Sequence, residues 1–137
     1  MQVFEESFAA WGAGEFAKAE TKQAAFNKFL KPDFVLDASN AALPEVFKVY
    51  RGHEGADQWA NGVVGSWEFT RMETTAEVGL KPGCVMQRLE CDVKHAGKEA
   101  KGIVMYVEVA FDADGKGVYN KHFWANPKVA ASLYASE

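Results

Sequence analysis

The sequence predicts an α+β domain in which helices come first and an antiparallel meander follows. Apolar residues recur with the helical period up to about Trp67 and with the strand period from Glu68 to Trp124. The later segments are punctuated by Ala96-Gly97-Lys98 and by Asp112-Ala113-Asp114-Gly115-Lys116, the chemistry of tight hairpin turns. At 137 residues, with no linker and no repeat, residues 1–137 are expected to form a single domain around one core. Helices followed by a meander within one domain give the α+β class.

Phe4, Phe8 and Trp11 make one stripe of a first helix, which Gly12-Ala13-Gly14 breaks. A second helix runs from Glu15 to about Leu30, with Phe16, Ala19, Phe26 and Leu30 on its apolar side. Pro32 closes it, because proline disfavours helical geometry in the residue before it. Phe34-Val35-Leu36 is a short strand leading into Asp37, residues 38–45 form a turn-rich loop, and Val46 to Tyr50 a brief strand. Beyond Gly52, Trp59, Val63 and Trp67 fall on one side of a third helix beginning at His53. Four strands follow, Glu68 to Glu77, Val85 to Val93, Ile103 to Phe111 and Val118 to Trp124, and residues 126–137 form a tail with one helical turn.

Composition narrows the function classes. Hydrophobic residues at 48% and charged residues at 25% describe an ordinary globular chain. Aromatics at 13% are high enough to line a pocket as well as a core. A net charge of −4 argues against nucleic acid or an anionic membrane surface as the main partner. Cys84 and Cys91 lie seven residues apart on one strand, on opposite faces and about 23 Å apart, too far to pair. Free thiols, no charged-then-apolar leader and no run of about 20 apolar residues together give a cytoplasmic protein as the expectation.

Strand alternation decides which residues can face inward. Ile103, Met105, Val107, Val109 and Phe111 share one apolar face, opposed by Val104, Tyr106, Glu108 and Ala110. Val85, Gln87, Leu89, Cys91 and Val93 form the inward set of the preceding strand, so Gln87 is a polar residue on an apolar face. On the last strand lysine is almost never fully buried. Lys121 therefore points outward, and Asn120, His122 and Trp124 inward, beside Gln87. Buried amides and an imidazole need partners, which a ligand or a carboxylate could supply.

Three stretches carry a family resemblance. They are Pro32-Asp33-Phe34-Val35-Leu36-Asp37, the step Tyr50-Arg51-Gly52-His53-Glu54-Gly55 into a helix bearing Trp59, and Asp114-Gly115-Lys116 in the meander. Over roughly residues 4 to 125 this order resembles the SnoaL-like proteins of the nuclear transport factor two-like superfamily, which includes polyketide cyclases, ketosteroid isomerase and scytalone dehydratase. The resemblance implies a cone-shaped α+β barrel, a cystatin-like cone of curved antiparallel sheet wrapped on N-terminal helices. It also implies a mostly apolar pocket for a small hydrophobic ligand, and a homodimer through the outer sheet face (Met86, Val104, Tyr106). Asp37 matches the catalytic aspartate position of ketosteroid isomerase, within one residue of register, and His122 stands where the cyclase has an acid. Val107 stands where the isomerase has an oxyanion-stabilising acid, so the steroid-isomerase mechanism is not expected.

Asp37 and His122 together resemble the proton-transfer pair of scytalone dehydratase: a carboxylate on one ring nitrogen would fix the tautomer and free the other nitrogen for acid/base work. The bland alternative is that Asp37 caps a turn and His122 makes a structural hydrogen bond. The expected site has His122 and Asp37 as catalytic groups, with Asn120, Gln87, Trp124, Trp59, Met105 and Val107 lining the substrate. The expected activity is cofactor-free isomerisation, dehydration or cyclisation of a small apolar carbonyl or hydroxyl compound. The alternatives are a non-catalytic binder of a hydrophobic metabolite and a dimerising interaction domain. His53 reads as a surface residue and His95 as a solvent-exposed turn residue, leaving no metal-ligand spacing. Neither a phosphate loop nor a nucleophile elbow is present.

Overall fold

A computed structural model describes residues 18, 20–40, 43 and 45–134. The expected first helix, with Phe4, Phe8 and Trp11, lies outside the described residues, as do Phe16 and Ala19. Helix α1 spans Lys22–Phe29 and buries Ala25, Phe26 and Phe29. It stops two residues before the sequence reaches Lys31-Pro32, and Leu30 is already extended. Strand β1 runs Leu30–Asn40, longer than the short strand expected, and takes in the start of the presumed loop. Strand β2 is Val49–Arg51, shifted slightly beyond the expected brief strand.

The third expected helix is one continuous helical segment of three geometries. Helix α2 covers Gly52–Asp57, then winds into a π-helical stretch at Gln58–Val63 and a 3-10 turn at Val64–Ser66. Trp59 and Val63 are buried along it, and Trp67 just beyond it. Gly55 sits where a Cβ would come within 2.7 Å of the Tyr50 carbonyl carbon, so the tight approach of α2 to β2 requires glycine. Strands β3 (Glu68–Lys81), β4 (Cys84–His95), β5 (Lys98–Phe111) and β6 (Gly117–Trp124) form the meander, with its hairpin turns where the sequence places them. Helix α3, Pro127–Ser132, follows, and Leu133 beyond it is buried.

These strands make one curved, unclosed six-stranded sheet in the order β2-β1-β6-β5-β4-β3. It is mixed rather than wholly antiparallel, because β1 runs parallel to β6. Hairpins force antiparallel neighbours, but β1 and β6 are joined only through all the intervening elements, which leaves the parallel crossover open. The core lies between the concave face and the helices, with Phe34, Leu36, Phe47, Val93, Ile103 and Leu133 buried deepest.

Candidate functional site

Strand register lines up the inward residues of β4, β5 and β6 in rows. Gln87 lies opposite Val107, which lies opposite His122. The next row holds Leu89, Met105 and Trp124, and the row on the other side holds Val85, Val109, Asn120 and, across the parallel pairing, Leu36. Gln87, Leu89, Met105, Val107, His122 and Trp124 are all buried, and Asn120 is half-buried. From the helical side Trp59 meets the His122 ring edge-on at 5.3 Å between centroids, and Trp124 meets it at 6.4 Å.

Three polar atoms on this face are buried with no hydrogen-bond partner among the described residues: Asn120 Oδ1, His122 Nδ1 and Trp124 Nε1. They belong to successive inward positions of β6. Such groups are normally satisfied, and each left bare costs about 1–3 kcal/mol. Burial pushes the His122 imidazole down to about 4, with the negative charge of Asp37 acting in the opposite direction. At neutral pH the ring is therefore uncharged, offering one acceptor nitrogen and one N–H.

Asp37 is not the residue that orients this ring. Phe34, Leu36 and Ala38 of β1 are buried, whereas Asp37 alternates away from them and pairs in register with Val49 and Lys121. Its Oδ1 accepts from the Ser39 amide at 3.0 Å and from the Ser39 hydroxyl, and these bonds hold its pKa below the usual carboxylate value. The turn-capping alternative thus describes Asp37, and its effect on His122 is that of its charge, which opposes the effect of burial. Two other histidines also differ from expectation. His53 is half-buried, with Nε2 3.1 Å from the Leu30 carbonyl, and His95 is half-buried on the Tyr134 ring at 4.5 Å with Nδ1 3.2 Å from the Ser66 carbonyl.

Phe47 is the residue the sequence undervalued. It is fully buried and takes edge contacts from Trp59, Trp67, Trp124 and Tyr134 at 5.6–6.3 Å. It falls in a short segment with no clear period, so only the tertiary fold gives it a role. Trp67 Nε1 donates to the Tyr134 hydroxyl at 2.7 Å, whereas Trp124, whose ring meets Trp67 edge-on at 6.4 Å, has no such partner. A cavity of about 550 Å³ opens at the β3–β4 and β5–β6 turns, lined by Lys81, Pro82, Val85 and Phe111 among others. It includes none of Gln87, Met105, Val107, Asn120, His122 or Trp124. Among the described residues no group of three or more His, Cys, Asp and Glu side chains could hold a metal ion, and no helix is long and apolar enough to cross a membrane.

No protein-family model and no curated protein matches the chain. Solved structures do. A nuclear transport factor two-like protein of Burkholderia xenovorans LB400 superposes with a TM-score of 0.79 at 12% identity, over 98% of this chain and 94% of that one. A structure described as a SnoaL-like polyketide cyclase, from Shewanella denitrificans OS-217, gives 0.69 at 12% identity over 99% and 96%. A steroid delta-isomerase of Pseudomonas aeruginosa gives 0.66 at 15% identity over 97% and 84%. At these identities the likeness is one of fold.

Proposed function

We propose that this chain, which has the cone fold of the nuclear transport factor two-like superfamily, binds a small, uncharged carbonyl or hydroxyl compound against the inward face of β6. We further propose that it moves a proton on that compound without a cofactor. The observation that carries the reading is the run of three bare buried atoms on one strand, Asn120 Oδ1, His122 Nδ1 and Trp124 Nε1. An aromatic interior that leaves an acceptor, an imidazole and an indole N–H unsatisfied fits a molecule bearing both a donor and an acceptor. A charged ligand is disfavoured, since His122 is neutral and, among the described residues, this row of the face holds no opposite charge to offset the cost of burial.

In the proposed chemistry the Trp124 N–H donates to the substrate oxygen and stabilises charge developing there. His122 accepts a proton at its bare nitrogen and returns it at a second position, as isomerisation or dehydration requires. Asn120 holds a substrate hydroxyl, and Gln87 with Val107 completes the row beside the ring. A buried imidazolium is poorly stabilised here, which favours prompt return of the proton. Isomerase, cyclase and epoxide hydrolase/cyclase-like neighbours support this class of chemistry.

The low proton affinity of His122 specifically favours a second reading, a non-catalytic binder whose imidazole serves only as a hydrogen-bonding group. A panel of neutral aromatic ketones and hydroxyketones, screened by quenching of tryptophan fluorescence and then assayed for conversion, separates the two. With a turned-over compound in hand, His122→Ala is expected to lower kcat at least about 100-fold with binding largely kept. Binding without turnover of any panel member, and a modest loss of affinity in His122→Ala, would leave the binder as the correct reading.

A further inference from the structure

The helical segment from Gly52 to Ser66 has a winding that its own apolar pattern does not require. Ala56, Trp59, Ala60 and Val63 are buried along it. At 3.6 residues per turn a plain α-helix would set all four within one arc of about 100°. Yet Gln58–Val63 is wound as a π-helical turn, a rare geometry that takes an extra residue into the turn. Burial of the apolar side chains therefore does not account for it.

The residues that set the winding lie outside the core. The Asp57 carboxylate, on the last residue of α2, accepts from Lys22 Nζ of α1 at 3.2 and 3.3 Å and from Asn61 Nδ2 inside the π-turn. Gly62 is exposed, and a Cβ there would meet nothing within 4 Å. Gly65, also exposed, stands at the close of the turn. A Cβ on it would come within 2.8 Å of the Ala60 carbonyl oxygen five residues back, so this winding needs glycine there.

The side chain that this winding aims is Trp59. Its ring stands edge-on to the His122 imidazole at 5.3 Å and packs on Tyr50 at 5.6 Å and Phe47 at 6.3 Å. Upstream the segment is pinned where Gly55 meets the Tyr50 backbone, and downstream by the buried Val63 and Trp67. A change of winding between two fixed ends is absorbed by the residues in between, Trp59 first among the buried ones. We propose that the π-turn is a positioning element of the His122 site. Its extra residue, held by Asp57 and Gly65, seats the Trp59 ring on the imidazole and keeps water from it. The inference rests on the reading of β6 as a ligand-binding face.

Two variants of the full chain test it. Deletion of Gly62 removes the extra residue, and Gly65→Ala bars the close approach to Ala60 while favouring a plain helix. The readout is the protonation midpoint of His122, followed by NMR of the imidazole in folded protein without ligand. The wild type should titrate at about 4. In both variants the midpoint is expected to rise above about 5, because water reaching the ring relieves the desolvation that lowers it. Trp59→Leu should reproduce the rise. A variant that is only less stable, but still folded, would not move this midpoint. Compounds that quench wild-type tryptophan fluorescence should bind both variants about tenfold more weakly. A midpoint that stays at about 4 in both folded variants overturns the inference. So does failure of both to fold, since the flanking packing would then itself need the extra residue. A wild type that binds no panel compound, with the midpoint raised in both variants, would sink the ligand reading and leave the seating of Trp59 by the π-turn standing.

Discussion

Burial pushes the His122 imidazole down to about 4 from an ordinary 6.5, and the pH dependence of stability follows from the sign of that shift. Between these values the unfolded chain binds a proton that the native ring does not. Stability is therefore full above about pH 6.5 and falls as the pH drops toward 4, by on the order of 3 kcal/mol if no other group intervenes. Urea denaturation from pH 7 to pH 4.5 is expected to show this slope in the wild type and a flatter one in His122→Gln, which has no group titrating there. An equal slope in both would mean that His122 is not buried neutral. Asp37 has its pKa lowered by Ser39, so its contribution is present above its unfolded pKa and is lost only in stronger acid. Strand parity in the sequence was enough to separate Asn120 and His122 from Lys121. It gave no such separation for Asp37, because a three-residue apolar run does not reveal which neighbours β1 will take.

At the scale of the element, the segment from Gly52 to Ser66 shows how packing refines a periodic pattern. Spacing of Trp59, Val63 and Trp67 predicts one amphipathic helix, and all three are buried. The π-helical turn at Gln58–Val63 has no signal in spacing that a plain α-helix would not also give. The start of the whole helical segment, in α2, is held by contact. Gly55 lies against the Tyr50 backbone, and a Cβ there would approach to 2.7 Å. Gly55→Ala is accordingly expected to destabilise by about 1–3 kcal/mol, although alanine is intrinsically the better helix former. A chemical denaturation curve showing gain instead of loss would mean that α2 can shift off β2 freely. Strain at this contact would also displace Trp59 on the His122 ring, so loss of ligand binding in this variant should accompany the loss of stability.

Across the whole molecule, Phe47 ties together elements far apart in sequence: Trp59 from the helical segment, Trp67 just before β3, Trp124 at the end of β6 and Tyr134 beyond α3. With no solvent exposure at Phe47, Phe47→Ala opens a cavity at this junction, and a loss of about 3–5 kcal/mol in urea denaturation is expected. A loss under about 1 kcal/mol would show that the surrounding rings close over the gap. The sequence by itself determined the class of the fold, the hairpins of the meander and the inward parity of β4, β5 and β6, because period and turn chemistry are local and survive without a partner. Only the tertiary structure decided that β1 runs parallel to β6, that Asp37 turns away from His122, and that Asn120, His122 and Trp124 present bare polar atoms to one interior. Those outcomes depend on which distant strand lies alongside and on what else fills the cone, and no local pattern in the chain encodes either.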